Sequence, residues 1–306
     1  MKVGLQISSF TWPGGDAQLG ETLARIVRTA DDAGFDSIWV MDHFFQIGSV
    51  GKPEEPMLEG MTALGYMAAH TSRARLGLMV GGIHYRQAGL WLKAVTTLDV
   101  LSGGRAWFGI GAAWNEQESR ALGFPMPPLR SRFEMLEETL QVVRAGWQGE
   151  RGSEGPVPGD HYAAQHVLNS PQALSRPHPP ILVGGGGERR TLRLVAQYAD
   201  ACNVFGTDND RLQHKFDVLR RHCEAVGRDY DSIEKTLLTQ VSITPDGGRG
   251  ALSPDRLVER LGRTTEVGAQ HVIFSLRNVH ELEPIELIGR EVIPQLRDLG
   301  VPSPLA

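Results

Sequence analysis

The sequence predicts a (β/α)8 barrel with an irregular insertion before its fifth strand. Eight short β-compatible runs are each followed by a helical pattern. The strands are near-continuous apolar runs, as parallel strands buried on both faces require. The length of 306 residues suits one large α/β barrel, so residues 1–306 are expected to form one domain, with 148–179 inserted in it. A doubly wound open sheet is the rival, and the count of eight units favours the barrel.

The elements follow in order. Residues 3–7 are the first strand. Residues 19–33 have helical spacing, with Leu23, Ile26, Val27 and Ala30 on one face and Gly34 as a stop. Residues 37–41 form strand two and 61–70 a helix. Residues 74–80 form strand three and 90–101 a helix ending at Ser102-Gly103-Gly104. Residues 105–110 form strand four, and 131–147 a helix with Phe133, Leu136, Leu140 and Val143 on one face. Strand five is 180–183 with helix 188–198, and strand six is 201–204 with helix 210–226. Strand seven is 237–244 with helix 254–267, and strand eight is 271–275 with helix 284–299. Residues 148–179 break this rhythm. They are rich in Gly, Pro, Ser and His, and too long for an ordinary connection, so a hairpin or a lid is expected there.

With 31 basic and 36 acidic residues the net charge is -5, which argues against nucleic-acid or anionic-membrane partners. Two cysteines imply no disulfide framework, and no stretch approaches a signal peptide or a membrane span. A cytoplasmic protein is expected, acting on a small molecule and forming a homo-oligomer, namely a dimer.

Active residues of barrels sit where strands end. The four glycines Gly184, Gly185, Gly186 and Gly187 stand between a strand and a helix, where backbone N–H groups can approach a phosphate. Arg189 and Arg190 could add charge, and a tight turn is the plainer reading. The Lys-Ser/Thr pair of a P-loop is absent. Asp42 and His43 follow strand two, where a neighbouring carboxylate could orient a histidine for proton transfer, or the histidine could simply cap the strand end. His84 and Arg86 follow strand three; a surface loop is the slightly preferred reading of His84. Trp12 and Trp114 could wall a flat ring at the mouth, whereas Trp39 and Trp107 read as core. No metal spacing, no Gly-x-Ser-x-Gly elbow and no Cys–His pairing is present, and Cys202 reads as core.

The runs Leu98-Asp-Val-Leu-Ser-Gly-Gly-Arg105 and Gly109-Ile-Gly-Ala-Ala-Trp-Asn-Glu116 resemble the bacterial luciferase-like superfamily. So do Gly4-Leu-Gln-Ile, Ala33-Gly-Phe-Asp-Ser-Ile-Trp-Val-Met-Asp-His-Phe44 and Pro179-Pro-Ile-Leu-Val-Gly-Gly-Gly-Gly187. The likeness spans nearly the whole chain and is nearest the branch that uses the deazaflavin coenzyme F420, with FMN-dependent monooxygenases as the alternative.

The resemblance implies a (β/α)8 barrel with an insertion, and hydride transfer at C5 of a deazaflavin lying across the mouth. It implies that Asp42 and His43 approach the ring as catalytic groups. A non-prolyl cis peptide at Met79–Val80 would support the ring from behind. Gly111, Ala112 and Asn115 would line the pocket, and Gly184–Gly187 would hold the cofactor's phosphate. One departure is clear. The sugar-phosphate dehydrogenases of the branch carry a catalytic glutamate where this chain has Ala112. Another reductase or dehydrogenase activity is therefore expected; a barrel that binds a ligand without turnover is the remaining reading.

Overall fold

The computed structural model describes residues 1–248 and 250–305. Along the chain run β1 (Lys2–Ile7), α1 (Leu19–Asp32), β2 (Ser37–Val40), α2 (Gly60–Ala68), β3 (Arg75–Leu78), β4 (Gly81–Gly82) and α3 (Ala88–Leu101). Then come β5 (Phe108–Gly111), α4 (Glu116–Ala121), α5 (Leu129–Gly146), β6 (Gly152–Ser153), β7 (Val167–Leu168), β8 (Ile181–Gly184), α6 (Thr191–Tyr198) and β9 (Ala201–Phe205). The chain closes with α7 (Asn209–Val226), β10 (Glu234–Val241), α8 (Pro254–Glu266), β11 (His271–Leu276), α9 (Glu283–Leu287) and α10 (Ile293–Asp298).

Nine strands form one parallel sheet in the order β3-β2-β1-β11-β10-β9-β8-β5-β4. β3 and β4 are the two halves of the expected third strand, separated by Met79–Val80, whose peptide bond is cis. Their separate partners close the ring. Leu76 at the head of β3 donates to the carbonyl of Arg105 and accepts from the N–H of Trp107, and Ile83 just past β4 donates to Gly111. Counting β3 and β4 together gives the eight strands of the expected barrel. Side chains alternate in and out along each strand. Trp39, Met79, Trp107, Leu182, Ala201 and Ile273 form a small inner cluster, with Trp39 and Trp107 tilted at 5.5 Å. The outward residues join the helices in the main core. Gly109 is required where β5 passes β3, because a Cβ there would stand 1.9 Å from the carbonyl oxygen of Leu78.

Several elements differ from the sequence reading, among them two strands, with β5 starting at Phe108 and β10 spanning Glu234–Val241. The helix expected from 188 begins at Thr191, because residues 188–190 form a turn. The final helix is broken into α9, a π-helical turn over 288–292 and α10. Pro294 lacks the amide hydrogen that a continuous α-helix would need there. The short helix α4 was not expected at all. The insertion carries the two-stranded antiparallel hairpin β6–β7. It lies against the outer helices: Glu138 on α5 accepts the N–H groups of Asp160, His161 and Tyr162, and Asp99 on α3 accepts those of Leu174 and Ser175. No described residue of 148–179 lines the barrel mouth, so the hairpin reading stands and the lid reading does not.

Asp99 and Arg105, in the run that carried most of the resemblance, are structural. Arg105 donates to the carbonyl oxygens of Thr71, Ala74 and Ser102, binding the start of the fourth barrel strand to its neighbours. Among the described residues no helix is long and apolar enough to cross a membrane.

Candidate active site

A cleft of about 620 Å³ opens at the C-terminal ends of the strands, within the range of about 300–1,000 Å³ usual for small-molecule sites. Asp42, His43, Met79, Val80, Gly111, Ala112, Asn115, Gly184, Gly185 and Gly187 all line it; Gly186 does not.

His43 is held by a residue that the sequence reading missed. Its Nδ1 lies 2.6 Å from Oε1 of Glu118. Glu118 is fully buried and also accepts from the Tyr85 hydroxyl at 2.6 Å and from the N–H groups of Phe44 and Phe45 at 2.7 and 3.0 Å. Burial works against its charge, but the hydrogen bonds from His43, Phe45 and Tyr85 outweigh burial and hold the carboxyl below the usual range. An ionised carboxylate only accepts, so Nδ1 of His43 donates to it, and in the neutral imidazole Nε2 is the nitrogen that carries the lone pair. Trp114 stands edge-on to the imidazole at 5.4 Å. Tyr85 cannot serve as the base, because burial and the Glu118 charge push its phenol upward.

Asp42, adjacent in sequence, does not orient His43. Its carboxylate takes both arms of Arg86, at 2.7 and 2.8 Å, and the N–H of Gly82 at 2.9 Å. Arg86 also bonds Glu59, which caps α2 through the N–H groups of Met61 and Thr62, and lies over the Trp91 ring at 4.5 Å. Burial pulls the guanidinium down, but its two carboxylates more than reverse this and hold it above its ordinary value. Asp42 thus ties the end of β2 to β4 and α2, which fixes the backbone that presents His43.

Other expectations are also corrected. His84 is neither at the mouth nor on the surface. It is buried with Nε2 2.7 Å from the Ser119 hydroxyl, and burial, followed by the charge of Arg132, drops its imidazole to about 4. Trp12 is buried against Phe10, while Trp114 does wall the cleft. Cys202 is buried core, and burial pushes its thiol up to about 12.

The Met79–Val80 bend aims Val80 between two glycines. A Cβ on Gly111 would come within 2.9 Å of a Val80 methyl, and one on Gly184 within 2.7 Å. Asn115 caps α4 by accepting from the N–H of Gln117 at 3.1 Å. That cap sets α4 so that Glu118, three residues on, faces inward. In the glycine run, Gly185 has φ +114°, and a Cβ on Gly187 would crowd the Thr191 hydroxyl at 2.8 Å. Arg189 and Arg190 are exposed, and Arg190 lies over the Phe133 ring. Glu188 accepts from Lys215 at 2.5 Å.

A parallel barrel with an oriented histidine at its C-terminal mouth is the architecture of an enzyme. Residues 1–247 match the family model described as luciferase-like monooxygenase, and the chain belongs to that family. It is an oxidoreductase. An F420-dependent glucose-6-phosphate dehydrogenase of Kineococcus radiotolerans is 28% identical over 282 residues, covering 89% of this chain and 78% of the relative. The coenzyme F420-dependent tetrahydromethanopterin reductase of Methanopyrus kandleri superposes with a TM-score of 0.78 at 18% identity, covering 96% of this chain and 99% of that one. The oxygenating constituent of 3,6-diketocamphane monooxygenase of Pseudomonas putida, in complex with FMN, superposes with a TM-score of 0.74 at 17% identity, covering 96% and 98%. These two structures establish a shared fold.

Proposed function

We propose that this chain is a coenzyme F420-dependent oxidoreductase acting on a small organic substrate, with His43 as the group that moves the proton. The observation that carries this is the His43–Glu118 contact at 2.6 Å, which leaves the lone pair on Nε2. The deazaflavin, when bound, exchanges a hydride at its C5.

The cleft fits such a group. Val80, seated where Gly111 and Gly184 lack side chains, forms a shelf for a flat ring. Met79, Ala112 and Asn115 surround that shelf. Gly184, Gly185 and Gly187 leave bare backbone in the cleft lining where a phosphate needs close approach. His43 takes or returns a proton at Nε2 while Glu118 stabilises the imidazolium that forms. Asp42 acts through Arg86 and Gly82 as a positioning residue.

Fluorescence titration with the deazaflavin and FMN side by side tests the reading. The deazaflavin is expected to bind at least about ten times more tightly, a difference of about 1.4 kcal/mol. Tighter FMN binding would overturn it in favour of a flavin monooxygenase.

A further inference from the structure

We infer that the cavity between the insertion and the outer helices binds a small 2-hydroxy carboxylate with an apolar side chain. Among the described residues none lines both this cavity and the barrel mouth, so the site is independent of the cofactor reading.

The start of α3, Val142 on α5 and residues 162–169 of the insertion enclose about 290 Å³. That lies just under the range of about 300–1,000 Å³ usual for drug-sized ligands, and so suits a smaller molecule. Leu92, Val142 and Val167 make part of the lining apolar. Gln87, Lys93, Tyr162, His166 and Asn169 bring polar groups to the rest, and among the described residues no carboxylate lines it.

Asn169 is fully buried and supplies an acceptor that nothing fills. Its Nδ2 donates to the Thr96 hydroxyl at 3.2 Å. That hydroxyl gives its one hydrogen to the carbonyl of Leu92 at 2.7 Å and receives the Trp147 indole N–H at 2.9 Å. It can only accept from Asn169, which fixes the amide nitrogen on that side. Thr96 and Trp147 lie outside the cavity lining, whereas Asn169 is part of it. The amide therefore turns Oδ1 away from Thr96 and toward the cavity, where no described residue donates to it. A buried acceptor is costly to leave unpaired, so a ligand seated here gains by bringing an O–H or N–H.

Lys93 supplies the charge. Its ammonium donates to the carbonyl oxygen of Ser170 at 2.5 Å, which places it beside Asn169, the preceding residue. An ammonium has three hydrogens to give, and among the described residues no carboxylate pairs with this one. A ligand carboxylate matches it. The carboxylate on Lys93 and a donor on Asn169 Oδ1 then sit on neighbouring atoms of the ligand, which is the arrangement of a 2-hydroxy acid. A 2-amino acid has the same spacing, but its ammonium would add a second positive charge beside Lys93 with no acidic side chain to receive it. Leu92, Val142 and Val167 take the ligand's apolar side chain.

The test is calorimetric titration of the full chain with 2-hydroxy-4-methylpentanoate and four relatives that each lack one feature. 4-Methylpentanoate lacks the hydroxyl, 4-methylpentane-1,2-diol lacks the carboxylate, lactate lacks the apolar body, and leucine carries an ammonium in place of the hydroxyl. The hydroxy acid is expected to bind at least about tenfold more tightly than each of them. Lys93→Gln and Ala163→Trp, both at exposed positions of the lining, are expected to weaken it at least about tenfold with an unchanged melting temperature. If Ala163→Trp fails to fold, Lys93→Gln decides. Phe205→Ala, at the barrel mouth, is expected to leave the affinity unchanged. No binding of the hydroxy acid, which would leave the cavity to water, overturns the inference. Equal or tighter binding of any of the four relatives also overturns it, as does full affinity in folded Lys93→Gln. Weakening by Phe205→Ala would place the acid in the barrel mouth and overturn it too.

Discussion

Replacing Glu118 by glutamine changes one atom in a buried side chain. Its Oε2 receives two backbone N–H groups, from Phe44 and Phe45, that cannot move away. The amide oxygen of Glu118→Gln must therefore stay on that side, and its NH2 must face His43 and Tyr85. Both of those now donate toward Oε1. Two donors cannot face a third, so His43 must exchange tautomers, accepting at Nδ1 and carrying its hydrogen on Nε2. The lone pair of Nε2 is then lost. A positioned base contributes about 10²–10⁴ in rate, or about 3–5 kcal/mol of barrier. The corresponding carboxylate-to-amide change in the Ser-His-Asp triad costs about 10⁴ by the same switch of tautomer. We expect single-turnover hydride transfer by Glu118→Gln to fall by at least about 10². Deazaflavin binding should change by less than about threefold. Loss of charge-assisted bonds should lower stability by about 1–3 kcal/mol. Turnover at the wild-type rate in a folded variant would refute the tautomer argument. Loss of cofactor binding in step with turnover would assign Glu118 a purely structural role.

Three further outcomes are expected. His43→Ala should keep its melting temperature within a few degrees and still bind cofactor, yet lose at least about 10²-fold in hydride transfer; unfolding or normal turnover would leave only the capping role. Gly109→Ala should destabilise by about 1–3 kcal/mol or fail to fold, because its Cβ meets backbone and not a movable side chain; an unchanged denaturation midpoint would contradict the packing. Glu234 is buried against His271 at 2.7 Å. Burial opposes its charge, but the hydrogen bond and charge of His271 outweigh burial and lower its carboxyl from 4.5 to about 2. A depressed carboxyl stabilises the fold above its unfolded value and loses that contribution as pH falls, here between about pH 4.5 and 2, by about 3 kcal/mol. Glu234→Gln should flatten this acid limb in urea titrations at several pH values, and an identical limb would refute the assignment.

The parts of the barrel legible in the sequence were those set by local patterning. Apolar strands and helical faces have a period, and α1 placed Leu23, Ile26, Val27 and Ala30 inward as that period requires. What escaped depended on contacts across the chain. α4 is six residues of which only Glu118 and Ser119 are buried, so nothing in its hydropathy announces it. The spacing of Asn115 and Glu118 is that of a capping box, which would have turned the glutamate back on its own helix. Glu118 reaches instead to His43, 75 positions away.

Asp42 and His43 show the limit most sharply. Adjacency in an extended segment sends consecutive side chains to opposite sides, so a neighbouring carboxylate is poorly placed to bond the next residue's ring. Asp42 accordingly turns to Arg86, 44 positions on, and His43 turns to the helix beyond β5. The two residues marked by the sequence do belong to one site, but as the ends of two separate chains of contacts. One chain, through Arg86 and Glu59, fastens the loop. The other, through Glu118 and Tyr85, sets the proton on the ring. An Asp42→Asn change and a Glu118→Gln change should therefore differ in kind. The first leaves Arg86 with Glu59 as its one carboxylate and should appear chiefly in stability, by about 1–3 kcal/mol for the lost charge-assisted bonds. The second should appear chiefly in the hydride-transfer rate.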